Sequence, residues 1–65
     1  MHIKLIYRDV EAGRYLLEID NEIERLTWTD YLPEAKDMGG LYDTLPGWAV
    51  HTLEGLQVEI HAMLG

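Results

Sequence analysis

The chain has 65 residues, no cysteine and a net charge of −7, from twelve acidic and five basic side chains. A chain this short allows one small domain that buries only about 60% of its unfolded surface, so association with another surface would add to its stability. The missing Cys removes disulfides, thiolate catalysis and zinc–thiolate sites, the missing Ser removes a serine nucleophile, and a surface this acidic disfavours direct binding to nucleic acid, whose phosphates need basic partners.

Residues 2–8 alternate, with Ile3, Leu5 and Tyr7 on one side and His2, Lys4, Ile6 and Arg8 on the other, which predicts a strand. Asp9, Val10, Glu11, Ala12 and Gly13 then read as a turn, with Gly13 free to take positive φ. The opening apolar run is too short and too interrupted by charge for a signal peptide or a membrane span. Together with the absence of Cys, this sets the expectation of a cytoplasmic protein with no membrane partner.

Residues 14–19 and 23–28 are the second and third strand candidates. A two-residue loop at Asn21 and Glu22 sets Leu17 against Leu26, Tyr15 against Trp28 and Glu18 against Arg25, giving apolar pairs on one face and an opposite-charge pair on the other. Glu18, Asp20, Glu22 and Glu24 fall within seven residues around this turn. The spacing lacks the central Gly and bidentate Glu of a calcium loop, so the readings are a solvated tip or an acidic docking patch.

Residues 29–43 are the least regular. A helical turn beginning near Pro33 and stopping at Gly39 and Gly40 is expected in this crossover. Tyr31 and Tyr42, lying among Asp30, Glu34 and Asp37, combine aromatic anchors with acids in the manner of a protein-binding loop.

Residues 45–64 carry a helical stripe of Leu45, Ala49, Leu53, Leu56, Ile60, Met63 and Leu64. The stripe predicts one long C-terminal helix, with Asp43 or Thr44 as cap and Pro46 in the first turn. Gly55 within it weakens the helix by about 1 kcal/mol. The opposite side, with Trp48, His51, Glu54, Val58 and His61, is less polar than a fully solvated face. The expected fold is therefore α+β: a three-stranded antiparallel meander, a crossover with a short helical turn, and one C-terminal helix packed on the face holding Leu5, Tyr15, Leu17, Leu26 and Trp28. Its edge strands would be open to a second copy or a partner.

Chemistry is sparse. On such a helix His51 and His61 would lie about 15 Å apart, too far to share a metal ion. No glycine-rich phosphate loop is present, since Gly39 and Gly40 lack the spacing and the following Lys-Ser/Thr. A sheet with one helix leaves little room for a catalytic pocket. The sequence thus predicts no enzyme, no metal and no cofactor, and favours a small acidic module that binds the basic surface of another protein. Glu18, Asp20, Glu22, Glu24, Asp30, Tyr31, Glu34, Asp37, Tyr42 and Trp48 are its candidate contacts. In size and acidity the chain is similar to phage and mobile-element inhibitors such as anti-CRISPR proteins, a similarity of composition that carries over no residue. The alternatives are a homo-oligomeric assembly subunit and a small enzyme or metal protein.

Overall fold

The computed structural model describes residues 3–39 and 44–64. Four strands, β1 (Ile3–Asp9), β2 (Arg14–Asp20), β3 (Arg25–Thr29) and β4 (Val58–Leu64), form one antiparallel sheet in the order β3-β2-β1-β4. One helix, α1 (Gly47–Glu54), packs on it, and a 3-10 turn, Leu32–Glu34 with Pro33 in its first turn, lies in the connector.

This overturns the three-stranded meander with a long C-terminal helix. The helix stops after eight residues, and the chain returns as β4 along the full length of β1, from Ile3 opposite Leu64 to Asp9 opposite Val58. The physical reason is a double periodicity. Leu53, Leu56 and Ile60 satisfy the helical spacing, but Val58, Ile60, Ala62 and Leu64 also alternate with Glu59, His61 and Met63, and a short apolar run does not choose between the two. Pairing with β1 chooses. Asp43, one of the two expected caps, lies outside the described residues. Pro46, not Thr44, is the N-cap, and it makes no side-chain capping hydrogen bond.

The β2–β3 register also differs. Leu16 faces Trp28, Ile19 faces Leu26, Asp20 faces Arg25 and Glu18 faces Thr27, with an irregularity between Leu16 and Glu18. The loop spans residues 21–24 rather than two residues, and Glu24 takes the left-handed conformation at φ 50° that closes it. The bulge places Leu16 and Ile19 on the helix-facing side, where Tyr15 and Leu17 were expected. Leu16, Tyr7, Met38 and Leu53 form the core, with Ile19, Leu26, Trp28, Leu45 and Val58 packed around it. Ile60, expected within the core stripe, is 56% exposed.

β1 and β2 pair only at their turn, Arg8 with Tyr15 and Asp9 with Arg14, where Gly13 takes φ 69°. Beyond that point the connector joins them. The Lys36 N–H donates to the Leu16 carbonyl at 2.8 Å and the Met38 N–H to the Leu5 carbonyl at 2.7 Å. The Leu5 N–H in turn donates to Asp37 Oδ1 at 3.2 Å. The same connector meets the opposite face of β1 at Pro33, whose carbonyl accepts from Lys4 Nζ, and delivers the fully buried Met38 into the core. At the turn end, buried Asp9 accepts from Arg14 Nε at 2.9 Å, and the Arg14 guanidinium lies 4.4 Å from the centre of the Trp28 ring.

Two substitutions check this arrangement. Leu16→Ala removes a fully buried side chain and should cost about 2–5 kcal/mol in urea denaturation. Gly55→Ala should be neutral or raise stability by up to about 1 kcal/mol, because Gly55 has φ −77° and an added Cβ would meet only the Thr52 carbonyl at 3.5 Å.

Candidate functional site

The β2–β3 tip collects four of the expected contact residues. Glu18 lies on β2, Asp20 ends it, and Glu22 and Glu24 stand exposed in the loop. Asp20 Oδ1 accepts the Glu22 N–H at 3.0 Å, an Asx turn that fixes the loop backbone. Trp48 Nε1 donates to Asn21 Oδ1 at 2.9 Å, tying the first turn of α1 to the tip. Trp48 is therefore partly buried and holds the acids in place through Asn21. Ile23, between Glu22 and Glu24, is 60% exposed. The sequence places it at the start of the third strand, whereas it stands in the loop; a β-branched apolar side chain among acids next to a turn is the available signal. Beside the tip, a recess of about 190 Å³ is lined by Ile19, Asn21, Lys36, Thr44, Leu45 and Pro46.

The other candidates sit elsewhere. Asp30, Tyr31 and Glu34 lie at the far end of β3, about 17 Å from the tip at the usual strand rise. Tyr31 is 61% exposed. Glu34 accepts the Thr29 hydroxyl, and Thr29 Oγ1 accepts the Tyr31 N–H at 3.0 Å, so this corner is internally bonded. Asp37 has a structural role: Oδ1 accepts both the Leu5 N–H and, at 2.9 Å, the Gly39 N–H. Tyr42 lies outside the described residues.

A second surface was not among the expected contacts. Between α1 and β4 runs an apolar groove of about 260 Å³, lined by Tyr7, Leu45, Val50, Leu53, Val58 and Ile60, with Glu54 at its rim. No group of three or more His, Cys, Asp or Glu side chains able to hold a metal ion occurs among the described residues. No described helix is long and apolar enough to cross a membrane.

Comparison with protein-family models, curated proteins and solved structures found no match to this chain. The reading of the site therefore rests on geometry and charge.

Asp37→Ala tests the structural assignment of that carboxylate. Leaving the Leu5 and Gly39 N–H groups without it should cost about 1–3 kcal/mol. Chemical denaturation reads that loss directly, and an unchanged midpoint would return Asp37 to the list of surface contacts.

Proposed function

We propose that the protein is a small acidic protein-binding module that docks its β2–β3 tip on a basic surface of another protein. The observation that carries this reading is the combination at one preorganised loop: Glu22 and Glu24 flank the exposed Ile23, while the Asp20–Glu22 and Trp48–Asn21 hydrogen bonds hold the loop. Carboxylates steer encounter with a basic partner and speed association, and a held apolar side chain supplies buried contact with little loss of conformational entropy on binding. Asp30, Tyr31 and Glu34 extend the acidic border to the far end of β3 and fit a rim better than a centre.

In its most specific form the proposal is an inhibitor that occupies a nucleic-acid-binding groove, its carboxylates standing where phosphates lie, in the manner of the phage inhibitors it is similar to in composition. Such a module acts without catalysis or cofactor and without touching nucleic acid itself. The cysteine-free sequence suits action in a reducing cytoplasm.

Affinity capture from native lysate with and without nuclease treatment, comparing the wild-type chain with a Glu22→Lys/Glu24→Lys variant, tests the proposal. The wild type should retain a basic protein at about 0.1 M salt and release it at about 1 M, where the Debye length falls from ~10 Å to ~3 Å. The variant should fold normally and retain none of that protein. A captured set unchanged by the double reversal, or one lost on nuclease treatment, overturns the reading.

A further inference from the structure

We propose that a second copy of this chain adds to the free edge of β4, forming a two-fold dimer with one continuous eight-stranded sheet. The inference is independent of the acidic tip.

The geometry starts from the backbone. The Val10 N–H donates to the Gln57 carbonyl at 2.9 Å, and these residues continue the β1–β4 register. In an antiparallel ladder, hydrogen-bonded pairs alternate with non-bonded ones. Glu59, His61 and Met63 therefore turn their backbone groups toward β1, while Val58, Ile60, Ala62 and Leu64 turn theirs outward from the edge. The same four residues share the helix-bearing face with Tyr7, which faces Ile60. That face is left open here: Ile60 is 56% exposed, Leu64 66% and Ile3, opposite Leu64, 54%. β4 is seven residues long and contains no Lys, Arg or Pro of the kind that blunts an edge strand.

A second copy fits this edge by register and by charge. A two-fold axis at His61, the middle residue of Val58–Leu64, pairs every residue of the strand. Val58 faces Leu64 of the second copy, Ile60 faces its Ala62, Glu59 faces its Met63, and His61 faces His61. Those pairs close roughly eight backbone hydrogen bonds. They also set Leu64 of each copy against the Val58 and Ile60 rim of the other's groove. A shift of two residues that centres the axis on Glu59 would instead oppose two like charges.

The net charge of −7 on each chain does not oppose this geometry. Glu59 already pairs with Arg8 at 3.3 Å. The acidic tip belongs to β2 and β3, at the opposite side of the sheet order. Across the dimer the two β3 strands stand about 34 Å apart, some three Debye lengths at about 0.1 M salt. β3 itself, with Arg25, Thr27 and Thr29, offers a shorter and more polar edge.

Sedimentation equilibrium should return twice the 7.5 kDa chain mass at both about 0.1 M and about 1 M salt, because an apolar, backbone-paired interface lacks strong screening. Ala62→Pro removes an outward N–H without touching a bond to β1, and should leave the far-ultraviolet circular dichroism intact while giving a monomer. Ile60→Lys should do the same if the proline variant unfolds. In this cysteine-free chain, His61→Cys should cross-link into a covalent dimer in air-saturated buffer, since cross-strand Cα atoms at the axis lie about 4.5 Å apart. Glu59→Cys should stay uncross-linked, its two copies being about 13 Å apart along the strands. A wild-type monomer at millimolar concentration, a dimer that survives both edge variants, or cross-linking at residue 59 in place of 61 overturns the proposal.

Discussion

β1 has to satisfy its backbone on both sides, and most of the architecture follows from how it does so. One side is met along its whole length by β4. On the other side β2 pairs at Arg8 and Asp9, and the connector serves Leu5 with the Met38 N–H and the Asp37 carboxylate. A buried strand with unpaired amides would lose about 1–3 kcal/mol for each orphaned group. The splay of β1 from β2 is tolerable only because residues 36–38 fill it. Filling it carries Met38 into contact with Tyr7, Leu16 and Leu53, so hydrogen bonding and core packing are fixed by one segment.

The helix is the dependent element. Eight residues are too few for stability on propensity alone, since isolated helices shorter than ~12 residues are marginal in water. Its N-cap, Pro46, makes no side-chain capping bond, and the buried Ala49 and Leu53 are what it contributes to the sheet. It also binds the tip through Trp48.

Much of this was legible in the sequence, and the failures have specific causes. β1 announced itself by alternation, β2 was placed at residues 14–19 against an observed Arg14–Asp20, and the turn at Gly13 followed from the need for positive φ. The Pro33 turn followed from the fixed φ of proline. The β2–β3 register was misjudged because a bulge after Leu16 has no signature in pairing arithmetic, and because Glu24, not a glycine, takes the left-handed position. The four acids near the turn were plain. Their support by Asn21 and Trp48 was not, because those residues are 27 apart in sequence. Asp37 read as one more acid among many, since its partner Leu5 lies 32 residues away.

The misreading of residues 55–64 carries the larger lesson. Glycine is usually credited with ending helices by adopting left-handed φ, but Gly55 remains right-handed at φ −77°, and its N–H still donates to the Thr52 carbonyl. Nothing local at Gly55 forbids another helical turn. A continued helix would keep Leu56, Ile60 and Met63 on one face, but would leave one side of β1 with every outward backbone group unpaired. The strand gives those groups partners, and in exchange leaves Ile60 and Leu64 exposed on the new edge. The competition is thus between satisfied backbone and covered side chains, and backbone wins. The side chains it leaves uncovered lie beside the only outward-facing peptide groups of β4, on the edge farthest from the acidic tip, so the same choice that ends the helix also separates an apolar surface from a charged one.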